Sequence, residues 1–403
     1  MTTVREVTCP FCSLLCDDLS VKAEQRQVSV IANGCARSAR GFAVGPPPAQ
    51  AYVGQAAVSR SVAVSRAAGL LKKANKPLIA GLGTDVNGVR AALLLAEKTA
   101  GLVRHKYEQQ ALHNLKVMQG SGWIMTTLAE VKNRADVVIL IGDKVTNNFP
   151  RFIERHINTA HAQFLGNKQA RQVIYLGTPA AAELKQLPKN LLSISAREHQ
   201  LANTLALLKS ELLQQQAGRK SGSGKPKLQQ AAQLIAQAQY PVFVWDAAAL
   251  PAANADLLIH AISDLIRRLN RKQRAAGLAL TGNNGGMTLQ QVAAWQTGYP
   301  AGPDFQQGFP EVDPAAQDID AVLWVSSLEA DAPPESTLPT IALSNNPALL
   351  DQVDVYIPIG VPGLDHRGNL FRTDGIVNLP LKKLRDSEND SAADTLKQIA
   401  AQL

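Results

Sequence analysis

The sequence predicts an α/β protein built on parallel sheets, and three observations carry that reading. Apolar runs bounded by turn residues recur along most of the chain. Most of them are continuous in valine, isoleucine and leucine instead of alternating with polar residues, as in strands covered on both faces. Stretches of helical character fall between them, the order expected of parallel strands joined by right-handed crossovers. At 403 residues the chain is too long for one small domain.

Residues 1–50 read as a short cysteine-bearing unit with a strand-like excursion at 28–32, ending in the stiff Pro46-Pro47-Pro48. Residues 51–217 read as a first α/β domain, with strands at 77–83, 137–143, 172–178 and 191–196. Its helices are expected at 61–74, 88–100 and 198–216. Polar, glycine-rich 218–227 reads as a flexible linker or loop. A second α/β domain, 228–380, carries strands at 241–246, 277–282, 321–327, 340–344 and 355–360 and helices at 228–237 and 256–274. It is broken by a glycine- and proline-rich segment at 298–314. Residues 381–403 read as a C-terminal tail or helix.

Composition narrows the function classes. The net charge of +8 is modest for this length. The basic residues are scattered, densest at Arg267-Arg268 with Arg271-Lys272 and Arg274, and at Lys382-Lys383, with no aromatic residues interleaved. Nucleic-acid binding therefore has little support, and a solvated face or a docking surface for an acidic partner is expected instead. No apolar run reaches the length of a membrane span, and the N-terminus lacks a secretory pattern. A reducing cytoplasm is expected. The seven histidines are dispersed, without a H-E-x-x-H pattern, and neither a G-x-S-x-G nor a P-loop occurs.

All four cysteines fall near the N-terminus, as Cys9, Cys12, Cys16 and Cys35. The first three share one tight loop and the fourth returns after a short excursion, a thiolate set that suits tetrahedral zinc or a [4Fe–4S] cluster. The three-residue gap and the Leu14-Leu15 pair favour the cluster; zinc, or a vestigial site of reduced thiols, are the alternatives. Two glycine turns are weaker candidates for anion binding. One is Gly81-Leu82-Gly83 with Gly88, the other Gly282-Asn283-Asn284-Gly285-Gly286; a plain tight turn is the default reading of the first. The polar group Glu130, Lys132, Arg134 and Asp136, ahead of the strand at 137, reads as a capped helix end.

That last stretch, Thr126-Thr-Leu-Ala-Glu-Val-Lys-Asn-Arg-Ala-Asp136 followed by Gly142 and Pro150-Arg151, resembles the B subunit of formylmethanofuran dehydrogenase. The resemblance continues in Cys9-Pro-Phe-Cys12…Cys16-Asp-Asp18 and in Trp295-Gln-Thr-Gly298-Tyr-Pro300 with Asp304-Phe305. It recurs in Gly363-Leu-Asp-His-Arg-Gly368…Phe371-Arg372-Thr-Asp374, so it spans nearly the whole chain. It implies the fold of molybdopterin- and tungstopterin-dependent oxidoreductases: a small N-terminal cysteine-rich unit plus two parallel-sheet, Rossmann-like domains. It also implies a [4Fe–4S] cluster on Cys9, Cys12, Cys16 and Cys35. In that family a protein cysteine or selenocysteine holds the metal, shortly before the segment matching Val117-Met118-Gln119. Here the region Tyr107 to Lys116 has no cysteine, and Gln110 or Ala111 cannot replace a soft thiolate.

The sequence looks instead like the B subunit of the formyltransferase/hydrolase complex of methylotrophic bacteria. The resemblance then implies a redox-inactive structural subunit with no catalytic residues and no molybdopterin or tungstopterin. Its partners would be a hydrolase, a formyltransferase and a further scaffold subunit, handling formyl groups on tetrahydromethanopterin and a methanofuran-like carrier and releasing formate. An active tungsten or molybdenum subunit, or an unrelated metal-binding α/β protein, are the alternatives. Tyr107, His113 and Met118 are expected to fill space left by a lost cofactor.

Overall fold

The computed structural model describes residues 2–158, 162–165, 171–219, 224–306 and 318–403. The chain opens with an antiparallel sheet, β1 (Thr2–Val7), β2 (Leu19–Glu24) and β3 (Gln27–Ala32). Helix α1 (Ala36–Phe42), the hairpin β4 (Ala51–Val53) and β5 (Ala56–Val58), and α2 (Arg60–Lys73) follow. Next come β6 (Pro77–Gly83), α3 (Val86–Lys98) and β7 (Leu102–Val103).

The middle of the chain holds α4 (Glu108–Ser121), α5 (Leu128–Arg134), β8 (Val137–Ile141), β9 (Gln172–Leu176) and α6 (Ala181–Leu184). It continues through β10 (Leu192–Ile194), α7 (Leu201–Gln216), α8 (Pro226–Gln237), β11 (Pro241–Asp246), α9 (Ala255–Leu269) and β12 (Ala276–Leu280). The last part is α10 (Gly286–Thr297), β13 (Ala321–Ser326), β14 (Thr340–Ser344), β15 (Val355–Pro358), β16 (Gly368–Phe371), β17 (Asn378–Leu381) and α11 (Ala392–Ala400).

The architecture is mixed α/β with parallel sheets, and the chain forms two compact units. One comprises Met1–Glu108 with Gly282–Leu403, the other Gln109–Thr281. In the first, a seven-stranded sheet has the order β5-β4-β15-β14-β13-β6-β7, parallel from β15 to β7 and antiparallel at the β4–β5 edge. Alternate strand residues face opposite sides. Leu323, Val325, Ile341 and Leu343 join the alanine- and leucine-rich faces of α2, α3 and α11, while Trp324, Ala342 and Tyr356 form a second core with Leu349 and Val353. Ser59, Asp85 and Ser391 cap those three helices with side-chain oxygens.

The second unit is a wholly parallel sheet, β10-β9-β8-β11-β12. Its core joins Ile139, Ile174, Phe243 and Trp245 to the apolar faces of α7, α8 and α9. In both units strand order runs outward from one boundary, β6 with β13 in the first and β8 with β11 in the second. The carboxyl ends at such a reversal are where open parallel sheets hold ligands.

All nine expected strands are present, and α2, α3, α7, α8 and α9 match the five expected helices to within a few residues. The compact units do not coincide with the expected domains 51–217 and 228–380. β6 pairs with β13 and β8 with β11, so each sheet draws strands from both sides of those bounds. A crossover strand takes its neighbour by packing, and sequence adjacency does not decide it. Of the expected linker 218–227, residues 220–223 lie outside the described residues, as do 307–317 of the break at 298–314. The expected tail carries α11, whose Leu396 and Ile399 are buried in the first unit's core. Among the described residues no helix is long and apolar enough to cross a membrane.

Candidate functional site

The cysteine loop folds back on itself between β1 and β2. Cys9 N–H donates to Cys16 O at 2.8 Å and Leu15 N–H to Cys12 O at 3.1 Å, with Leu15 held at φ +46°. Cys9, Cys12 and Cys16 are buried and Cys35 is half-buried. Phe11 carries the loop onto α1: its ring meets Phe42 edge-on at 5.1 Å and lies against Gly41, where a side chain would collide with it. Cys35 caps α1, its sulfur accepting Ser38 N–H at 3.5 Å while Ser38 Oγ accepts Cys35 N–H at 2.8 Å.

Burial pushes the Cys9 thiol well up, with Cys12, Cys16 and Cys35 adding to it; burial and then Cys16 push Cys12 up to about 12. In kind and number these donors suit an iron–sulfur cluster or zinc. Among the described residues, however, no group of three or more His, Cys, Asp or Glu side chains converges in a metal-holding arrangement. The match is one of donor chemistry and not of geometry.

A polar wall adjoins the loop in the same unit. Ser13 N–H and Oγ both donate to Asn283 Oδ1, at 2.9 and 3.1 Å, and Ser13 O accepts Thr373 N–H at 2.7 Å. Arg37, two residues beyond Cys35, pairs with Glu329, and Lys106 pairs with Asp331. Tyr107 reaches Glu329 at 3.5 Å beneath the Lys106 ammonium, and Asn284 Nδ2 donates to Asp331 at 2.8 Å. His105 is buried in this wall. Its Nδ1 accepts Tyr107 N–H at 3.0 Å, so the proton sits on Nε2 and is donated to Asn284 O at 2.9 Å. Burial lowers its pKa to about 4. Both cations are matched by carboxylates and the imidazole is neutral, an arrangement suited to holding segments together and not to moving protons.

The two glycine turns are closed by the chain's own groups. After β6, Asp85 Oδ1 accepts Gly88 N–H at 3.0 Å, which places a carboxylate where α3 would present N–H groups to an anion. Gly83 O accepts Ser327 N–H, Leu328 N–H and Ser327 Oγ at 2.8–3.0 Å, joining the ends of β6 and β13. In the turn at 282–286, Gly286 N–H and Met287 N–H close on Asn283 O and Gly282 O. Three buried side-chain oxygens around these ends, Thr84 Oγ1, Asn284 Oδ1 and Asn345 Oδ1, have no hydrogen-bond partner among the described residues.

No family model matches the chain. It is 24% identical to the B subunit of the tungsten-containing formylmethanofuran dehydrogenase 2 of Methanocaldococcus jannaschii, over 95% of this chain and 94% of the relative. It is 28% identical to the B subunit of the formyltransferase/hydrolase complex Fhc of Methylorubrum extorquens, over 80% of this chain and 88% of the relative. A chain of the crystal structure of the FhcABCD complex from the same organism, in complex with methylofuran, matches with a TM-score of 0.74. The identity is 27%, covering 87% of this chain and 98% of that chain. The chain is similar to both of these B subunits over most of its length.

The region Tyr107 to Lys116, where the resemblance implied a metal ligand, lies almost wholly in α4, an unbroken helix. Ala111, Leu115 and Val117 are buried, and Asn114 Oδ1 accepts the indole N–H of Trp245 at 2.9 Å. Trp123 meets Trp245 edge-on at 5.3 Å. The only sulfur in α4 belongs to Met118, which is 38% exposed, so Met118 is not a space-filling residue as expected. Tyr107 and His113 are half-buried.

The Thr126–Asp136 stretch is structural. Thr127 caps α5, Arg134 pairs with Glu130 at 3.1 Å, and Asp136 accepts Gln239 and Tyr240 N–H at 2.6 and 2.9 Å. Sequence reasoning missed the ion pairs of the polar wall, Arg37 with Glu329 and Lys106 with Asp331, whose partners lie more than 200 positions apart. It also missed Glu183, buried beneath β9, which accepts from Thr146 N–H and Oγ1, Tyr175 Oη and Ala180 N–H.

Proposed function

We propose that this chain is the B subunit of a formyltransferase/hydrolase complex, and that it contributes architecture and not redox chemistry. The complex would act on formyl groups carried by methylofuran-type and tetrahydromethanopterin-type carriers and release formate. Transfer and hydrolysis would belong to its hydrolase and formyltransferase partners, and a further scaffold subunit would complete the assembly. One observation carries the reading: α4 offers no thiolate, and all four cysteines belong to the N-terminal loop and α1 cap. A tungsten or molybdenum centre in this family needs a soft protein ligand.

Further support comes from the carboxylate of Asp85 at the start of α3, which opposes a bound phosphate by like charge. We read the two sheets as the Rossmann-like halves of a molybdopterin-oxidoreductase-like fold, and β1 to α1 as its small cysteine-rich unit. Cys9, Cys12, Cys16 and Cys35 are proposed to hold a [4Fe–4S] cluster, with zinc or a vestigial site as the other outcomes. Four cysteines gathered in one N-terminal constellation are a poor disulfide framework for a chain of this length, and a cytoplasmic location is part of the proposal.

A second reading, an active metallopterin subunit, is favoured by the partnerless oxygens of Thr84, Asn284 and Asn345, which would accept donors from a ligand. One experiment separates the two. The chain is purified anaerobically with its native partners, and iron, zinc, molybdenum and tungsten are quantified. Retained hydrolase and formyltransferase subunits without stoichiometric molybdenum or tungsten are expected. Either metal at one equivalent per chain overturns the proposal.

A further inference from the structure

We propose that the outer face formed by α10, α3 and α11 docks an acidic amphipathic helix of another subunit of the complex. The inference rests on the function proposed above and names a surface for one of its partners. Trp295, on α10, is 63% exposed, with Arg90 of α3 stacked over its ring at 5.7 Å. One turn along α3, Leu94 is 54% exposed and opens onto a groove of about 430 Å³ between α3 and α11. Ala91, Leu94, Ala400 and Ala401 give that groove an apolar lining.

Single exposed apolar residues need no explanation, but an exposed tryptophan covered by an arginine one turn from an exposed leucine and its apolar groove marks an interaction surface. Two helices flanking a groove of small residues fit the apolar stripe of a third helix, and a tryptophan next to it is a common anchor.

Charge selects the occupant. Arg90, Lys98 and Lys397 border the surface against Glu97 in the groove and Asp394, which pairs with Lys397 at 3.8 Å, leaving a small excess of positive charge. Lys98 also donates to Ala400 O at 3.0 Å, which fixes a cation at the groove floor. A partner carrying Asp or Glu along its apolar stripe is complementary to this rim. A second copy of the chain would bring these cations against their own kind.

The test uses the full chain co-expressed with the other subunits of the complex. Leu94→Glu and Trp295→Ala should each lower the retained partner subunits roughly tenfold or more. Lys98→Glu with Lys397→Glu should weaken retention and reduce its sensitivity to salt. Leu257→Glu, at a 70% exposed position in the other unit, should change nothing. Undiminished assembly in all the α3, α10 and α11 variants overturns the docking surface while leaving the proposed function intact. Wild-type chain that emerges with no partner subunit overturns the proposed function and the docking surface with it. Variants that disperse a self-dimer without releasing a partner assign the face to a second copy and also overturn the inference. Should either apolar variant unfold, the charge-reversal variant, changed only at exposed lysines, carries the test.

Discussion

His105 makes the polar wall sensitive to acid, and the effect can be worked out from its contacts. In the folded chain its Nδ1 must accept Tyr107 N–H, which only the neutral ring can do. Burial, with the nearby Lys106 charge, opposes a second proton, and the pKa falls from 6.5 to about 4. A histidine whose pKa is lowered by folding leaves the unfolded chain with more bound protons at acid pH. Its stability contribution is therefore complete above 6.5 and is lost as pH falls toward 4. Lowering the pH from about 7.5 to about 5 should cost roughly 2 kcal/mol through this group alone, since each pH unit of that interval is worth up to about 1.36 kcal/mol. The assay compares urea unfolding of wild type and His105→Gln across that range. Glutamine can still accept from Tyr107 and donate to Asn284 but does not titrate, so the wild type should lose about 2 kcal/mol more than the variant toward acid pH. A difference that stays flat across the range, or an imidazole NMR titration of His105 near its ordinary value, would refute the reasoning.

Other substitutions test the same packing logic. Gly41→Ala drives a methyl into the Phe11 ring and should cost about 1–3 kcal/mol, read by thermal unfolding, while loosening the cysteine loop to thiol labelling. Arg385→Met strands the fully buried Asp365 without its cation and should destabilise by about 3–5 kcal/mol in denaturant unfolding. Glu183→Gln turns an acceptor of four hydrogen bonds into a group whose amide faces donors. It should cost about 1–3 kcal/mol per unsatisfied group, seen as a lower midpoint in urea.

How much of the fold and the site was legible in the sequence depended on range. The continuous runs of β8, β11, β13 and β14 announce themselves because a strand buried on both faces has no polar side. Strands β4, β5 and β7 are two or three residues long, and β16 and β17 are four residues of mixed character, below what periodicity resolves. Helix α10 hides as well. Its Met-Thr-Leu-Gln-Gln-Val-Ala-Ala-Trp sequence puts buried residues and an exposed tryptophan around the whole cylinder, without a clean stripe. Within the candidate site, the cysteines stand close together in the sequence, which is why their spacing draws notice. Arg37 with Glu329 and Lys106 with Asp331 were not legible, since such pairings are fixed only when the sheet brings three distant segments together.

That contrast bears on what the first unit is built to do. A parallel sheet offers a ligand free N–H groups and a helix dipole at its carboxyl ends, worth about 0.3–1 kcal/mol at a helix N-terminus in exposed settings. In this chain Asp85 takes the α3 terminus, Gly83 O ties β13 to β6, and Glu329 and Asp331 neutralise the nearest cations. An incoming anion would have to displace Asp85, forfeiting a cap of about 1 kcal/mol, and then face that carboxylate at close range. The attraction a helix terminus offers does not cover both terms. A ligand that enters this region must therefore bring hydrogen-bond donors to Thr84, Asn284 and Asn345 and not a phosphate to α3, which separates the carboxyl-end crevice of this chain from one poised for a dinucleotide.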